Sequence, residues 1–234
     1  MRVSIIGTGY VELVTGACLA DKGHDILCVD IDSQKVDKIN NGIPPIYEKG
    51  LEDLLQRTIK KNLLATTDLH RSVLDSEITL VAVGTPFERK EIDLTYVKEV
   101  SRQIGIALKD KRGYHVVVVK STVVPGTTDE VVLPLLEINS GKKAGRDFGV
   151  GMNPEFLTEG QAITDFMHPD RIVLGANDER AMQMLGELYA PFEDTPKLRT
   201  NARTAEMINY ASNAILGVVC SGRLSSAVPT PPKS

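Results

Sequence analysis

Residues 7–12 read GTGYVE, and the glycine spacing makes them the first candidates for chemistry. Gly7 permits a tight turn, and Gly9 lets backbone come close to a ligand's phosphates. The N–H groups of residues 10–12 then open a helix and face an anion. Asp30 ends an apolar run further along the chain, placed to accept hydrogen bonds from ribose hydroxyls. Glycine turn, helix start and distal acid together point to a dinucleotide site, the plainer alternative being a glycine turn used only for packing. The free carboxylate favours NAD over its 2′-phosphorylated form.

Position 12 departs from the fingerprint, which asks for glycine and here has Glu12. Glycine at that point normally lets the helix lie close to the strand. A carboxylate about 5 Å from a phosphate charge, at an effective dielectric of about 20, is repelled by about 3 kcal/mol. That corresponds to roughly two decades of affinity. The alternative is a first-turn acid that swings into solvent and mildly favours the helix.

Three further stretches carry polar groups at strand ends. GTPF at 84–87 and KSTVVPGT at 120–127 bring Thr85 and Thr122 to the sheet edge where α/β ligands bind. Their hydroxyls can meet cofactor or substrate, or serve ordinary turns and N-caps. NPEFLTEG at 153–160 sets Glu155 and Glu159 around an apolar pair. A carboxylate held there suits proton transfer or the orienting of a sugar hydroxyl. Two solvated surface acids are the plainer alternative.

The elements that must position these groups alternate. Near-continuous apolar runs at 3–7, 26–30, 78–84 and 115–121 read as strands covered on both faces. Helical spacing appears at 10–22, at 32–41 behind Asp32 as N-cap, at 51–62 and at 95–110. A helix at 127–139 is interrupted or restarted at Pro134. A strand at 148–156 runs into a loop, and a strand at 171–175, a helix at 179–192 and a long apolar helix at 204–219 follow. This is an α/β chain, a doubly wound parallel sheet of Rossmann type ending in a long helix. The expected division is an NAD-binding domain over 1–200, an interdomain or dimerisation-type helix over 201–220 and an irregular tail over 221–234. The final PTPPKS is incompatible with helix or central strand.

Composition is that of a soluble globular protein: 234 residues, 42% hydrophobic, 25% charged. A net charge of −4 gives no general pull towards nucleic acid or anionic membrane. No apolar run approaches the ~20 residues that span a bilayer. The chain begins on a strand without a signal-peptide pattern, and Cys18, Cys28 and Cys220 form no C-x-x-C pair. Reduced thiols and a cytoplasmic setting are expected, with no metal.

Several ordered stretches resemble one family. They are GTGYV at 7–11, CVDID at 28–32, PIYEKGLEDLL at 45–55, AVGTP at 82–86, KSTVVPGT at 120–127, NPEFLTEGQAITDFMHPDRIVLG at 153–175 and AEMINYASNAIL at 205–216. The chain resembles the UDP-glucose 6-dehydrogenases of the UDP-glucose/GDP-mannose dehydrogenase group from residue 1 to about 216. The resemblance implies NAD as cofactor and a nucleotide sugar as substrate. It also implies a four-electron oxidation of the C6 hydroxyl through an aldehyde and a cysteine thioester to the uronic acid. Implied cofactor contacts are Gly7, Gly9, Tyr10, Val11, Asp30, Lys35, Thr85, Pro86, Thr122 and Glu159. Implied substrate contacts are Glu155, Phe156, Leu157, Thr158 and Glu159. Thr122 and Glu155 match positions credited with the catalytic water or proton, and Asn213 matches a polar active-site residue.

The departures from the family are as specific. Its helix motif has lysine where this chain has Asn209, and losing such a charge stabiliser typically lowers the rate by roughly 10²–10³. Its nucleophilic cysteine lies in a Gly-rich stretch beyond residue 234, and Cys18, Cys28 and Cys220 stand in other contexts. Resemblance breaks off at GVVCSGRLSSAVPTPPKS, which suggests a truncated or frame-shifted copy with incomplete activity. The expectations are therefore three: a dehydrogenase or half of one, an NAD- or nucleotide-holding module without turnover, and an interaction protein. The last would use residues 204–219, with Ile208, Ala211, Ile215 and Val219 on one face, to form a homodimer or to dock on a full-length homologue.

Overall fold

The computed structural model describes residues 1–88 and 91–226, with side chains to Ile215, that of Glu88 excepted. Strand β1 (Arg2–Ile6) leads through the glycine turn into helix α1 (Tyr10–Asp21) and returns as β2 (Asp25–Val29). Helix α1 buries every residue from Leu13 to Ala20, because the sheet covers one side and later helices the other. Gly16 sets its distance from the sheet: a Cβ there would lie 3.0 Å from Cys28 Sγ and 3.3 Å from Ile5 Cδ1. Close helix–strand packing is thus supplied one turn after Glu12.

Helix α2 (Ser33–Asn40) is capped by Asp32, which accepts from the N–H groups of Gln34 at 2.9 Å and Lys35 at 3.4 Å. Helix α3 (Leu51–Thr58) stops short of the expected residue 62, since Ile59 is extended and Lys60 turns to φ 61°. Six elements were not legible in the sequence. These are β3 (Leu63–Thr66), α4 (Leu69–Asp75), the small hairpin of β5 (Phe87–Glu88) and β6 (Glu91–Ile92), the short helix α7 (Ala162–Met167) and the edge strand β10 (Lys197–Thr200). Each strand is four residues or fewer and partly solvated, so neither length nor apolar content marks it.

Between them lie β4 (Ile78–Val81), α5 (Thr95–Asp110) and β7 (Val116–Val119). The helix expected at 127–139 is two pieces, a π-helical turn at Thr128–Val132 and α6 (Leu133–Ser140), restarted where Pro134 occupies the first turn. Strand β8 (Gly149–Met152), α7 (Ala162–Met167), β9 (Ile172–Ala176) and α8 (Glu179–Leu188) precede β10.

The eight-stranded sheet has the order β10-β9-β8-β7-β4-β1-β2-β3. Its pairs are parallel except β8 with β9, where Gly151 faces Ala176 and Met152 faces Gly175. Successive strands are added outward in opposite senses from the β1–β4 pair, β2 and β3 on one side and β7 and β8 on the other. The crevice beyond their carboxyl ends is the ligand position of such sheets. Long helix α9 (Ala202–Ser226) closes the order. Residues 221–226, expected to be irregular, are therefore helical: SGRLSS holds weak helix formers but no proline. Residues 227–234, with PTPPKS, lie outside the described residues, as do the side chains of Val219 and Cys220. Among the described residues no helix is long and apolar enough to cross a membrane.

Candidate cofactor and active site

The glycine turn lies in that crevice. Gly7 has φ +111°, and a Cβ on it would come within 2.9 Å of the Ala82 carbonyl at the end of β4. Only glycine fits between the two strand ends. Asp30 stands beside the turn after β2. One carboxylate oxygen accepts from the Thr8 N–H at 3.1 Å and from the Thr8 hydroxyl, and the other from the Asp32 N–H at 2.9 Å. Lys35 Nζ is 3.8 Å away. The carboxylate is thus held at the strand end with acceptor capacity left for a ribose. Tyr10 and Val11 form the first turn of α1, both half-buried.

Glu12 does not swing into solvent. Its side chain folds back over the turn, so a Cβ on Gly9 would meet its Oε2 at 2.6 Å and one on Gly7 its Cγ at 3.3 Å. Burial pushes its carboxyl up to about 7. The N–H of its own backbone and the Lys120 cation oppose that rise, while Glu155 and Asp30 add to it. The carboxylate stands over the backbone that a pyrophosphate would approach.

The loops after β4 and β7 are tied together. Thr85 Oγ1 donates to the Thr122 carbonyl at 2.7 Å, and Ser121 Oγ to that of Val83 at 2.6 Å. Thr85 and Thr122 are half-buried, and Pro86 is exposed beside them. Lys120, 3% exposed, donates to Asn153 Oδ1 at 3.1 Å, which also accepts from Tyr189 Oη at 2.5 Å. Burial lowers the Lys120 amine to about 8, against Glu155 and Glu12, which favour its charge. Glu155 accepts from the Leu157 N–H at 2.6 Å.

A cleft of about 540 Å³ opens here, lined by Lys120, Glu155, Phe156, Leu157, Thr158 and Ser212 among others. The four consecutive residues 155–158 thus share one wall. Glu159 is exposed and lies outside that lining, near Tyr10.

Helix α9 reaches this cleft because Glu206 anchors it. That buried carboxylate accepts from the N–H groups of Gly126 at 2.5 Å and Thr128 at 2.7 Å, and from Thr128 Oγ1 at 2.6 Å. Asn209 is fully buried one turn on, with Nδ2 unpartnered. Its Oδ1 accepts from Asn213 Nδ2 at 3.2 Å, and Asn213 Nδ2 lies 3.5 Å from Thr122 Oγ1. Ile208 packs against the core, whereas Ala211 and Ile215 are exposed.

A family model described as "UDP-glucose/GDP-mannose dehydrogenase family, NAD binding domain" matches residues 1–193. The chain belongs to this family. It is 47% identical over 215 residues to GDP-mannose 6-dehydrogenase of Pseudomonas aeruginosa, covering 91% of this chain and 49% of that protein. It is 45% identical over 221 residues to a UDP-glucose 6-dehydrogenase of Haloferax volcanii, covering 92% and 51%. The crystal structure of a ternary complex of GDP-mannose dehydrogenase from Pseudomonas aeruginosa superposes with a TM-score of 0.91 at 46% identity, over 94% of this chain and 51% of that one. The chain spans about half the length of the curated relatives it matches.

NAD is thus the cofactor of this domain in the dehydrogenase family. Gly7, Asp30 and the joined Thr85 and Thr122 loops fit it, and Glu12 alone opposes it. Cys18 and Cys28 are fully buried, and burial pushes both up to about 12, the reverse of an activated nucleophile. Sequence reasoning missed Lys120, Asn153 and Tyr189. The available signal was a lysine closing the apolar run VVVV at 116–119, where a cation needs a buried partner.

Proposed function

We propose that the chain carries the cofactor half of an NAD-dependent nucleotide-sugar 6-dehydrogenase acting in the cytoplasm. The carrying observation is the convergence of the Gly7 turn, Asp30, Thr85 and Thr122 on the β1–β4 crevice, while Lys120, directly after β7, lines the cleft walled by Glu155–Thr158. In this reading Gly7, Gly9, Tyr10, Val11, Asp30, Lys35, Thr85, Pro86, Thr122 and Glu159 hold NAD, which supplies a hydride acceptor when bound. Residues 155–159 meet the sugar, and Thr122, Glu155 and Asn213 handle the water or proton at C6. The substrate is a nucleoside-diphosphate sugar. UDP-glucose is the expectation from the motifs, and GDP-mannose has equal support, since relatives named for each match at 45% and 47% identity. Self-association in this reading uses residues 204–219, and the exposure of Met207, Tyr210 and Ile215 supports it.

A second reading, an NAD-holding module without turnover, is favoured by Asn209. It is sealed in the core with its amide nitrogen unpaired, where the resemblance implies a lysine facing the site. Calorimetric titration with NAD to millimolar concentration tests the shared claim, and saturable binding is expected. NADH formation with UDP-glucose or GDP-mannose then separates the readings. Absence of NAD binding refutes both.

A further inference from the structure

The stretch PIYEKGL contributes one side chain that the proposed chemistry does not use. Glu48 lies in the loop between α2 and α3 and is 5% exposed. Its carboxylate accepts from the Tyr10 hydroxyl and from the Gly160 N–H at 2.9 Å. The same Gly160 N–H lies 2.7 Å from Tyr10 Oη, so the three groups form a closed triangle. Gly160 has φ +84°, a backbone turn that aims its N–H inward. A buried carboxylate is unfavourable unless donors satisfy it. Here the donors come from two separated segments: the first residue of α1, directly after the glycine turn, and the end of the 153–160 loop. Gly50 repeats the juxtaposition, its Cβ direction meeting Ile163 Cδ1 at 3.9 Å.

We propose that Glu48 is a positioning residue that latches the 153–160 loop onto the first turn of α1. Its two bonds fix where Glu159, next to Gly160, stands relative to the glycine turn. The consequence for NAD rests on the reading that both segments hold it. The latch itself does not.

The test compares the whole chain with Glu48→Ala, Glu48→Gln and Tyr10→Phe variants. Hydrogen exchange over 154–161 is read against β7 as an internal reference, and NAD affinity is read by calorimetry. Glu48→Ala removes the oxygen that accepts both bonds, and exchange at 154–161 is expected to rise about tenfold while β7 is unchanged. The NAD dissociation constant is expected to rise by about the same factor. Glu48→Gln keeps an acceptor oxygen and is expected to stay within about threefold of wild type, a rescue that bulk destabilisation would not give. Should Glu48→Ala fail to fold, Tyr10→Phe decides, with exchange about threefold faster at 154–161 alone. Unchanged exchange at 154–161, or equal acceleration in β7, overturns the latch. If the wild type binds no NAD, the cofactor reading fails while the exchange comparison still decides the latch.

Discussion

Replacing Glu12 by Gln should stabilise the protein at alkaline pH and leave it unchanged in acid. Burial holds the Glu12 carboxyl at about 7 against an ordinary 4.5. At about 1.4 kcal/mol per unit, that difference is roughly 3 kcal/mol. Glu12 keeps partial solvent access, so screening reduces it to about 1–3 kcal/mol. The folded chain binds this proton more tightly than the unfolded chain. Its contribution is present below pH 4.5 and is lost as pH rises through 7. Glutamine carries no charge to desolvate. The variant should therefore be more stable by about 1–3 kcal/mol at pH 8, or about 2–4 °C in Tm for each kcal/mol. Near pH 5 about a quarter of that gap should remain.

The fully buried His115, pushed down to about 3 by its burial, acts in the opposite direction over part of this range. Because both proteins contain it, the wild-type-minus-variant difference removes it. Denaturant melts at pH 5, 6, 7 and 8 make the measurement. A gap that is flat with pH, or that widens towards acid, refutes the reasoning. The same geometry predicts that Glu12→Gly tightens NAD by up to about two decades at pH 8. An unchanged dissociation constant would show that the folded-back carboxylate does not face the phosphates.

Other residues give shorter tests. Asp30→Asn should weaken NAD about tenfold, through loss of a charged acceptor, in calorimetry. Glu206→Ala should destabilise the fold by about 2–4 kcal/mol in denaturant melts, because it strips three donors of the 126–128 turn and frees α9. Cys18 and Cys28 should resist a thiol reagent at pH 8 until the chain is unfolded, and prompt labelling of either would contradict their burial. Ile215→Glu should lower any dimer fraction seen in sedimentation while leaving Tm unchanged, since the side chain is 64% exposed.

The sequence was most legible where a local rule is strict. Gly7 and the valine run of β7 each follow from one backbone or burial requirement, and the structure places both as required. Edge strands β3 and β10 were illegible because half-solvated four-residue segments carry no period. The site was legible by strand and loop but not by side-chain direction. Glu155–Thr158 converge on one cleft while Glu159 turns out of it, and sequence spacing cannot separate the two. Glu12 shows the limit most clearly. Two orientations were open, and the structure holds the folded-back one, with the Glu12 carboxylate over the Gly7–Gly9 turn.

Glu12 also connects features that the sequence kept apart. Its carboxylate and that of Glu155 both act on the buried Lys120 amine, one from the cofactor side and one from the cleft side. Lys120 in turn donates to Asn153, and both line the cleft. Glu12→Gln removes one of the two anions that keep Lys120 charged, so its amine should titrate lower than about 8 in the variant. A proton-detected titration of that lysine in both proteins measures the coupling directly. Identical midpoints would mean that the two sides of the site are electrostatically independent, and the departure at position 12 would then concern the cofactor alone.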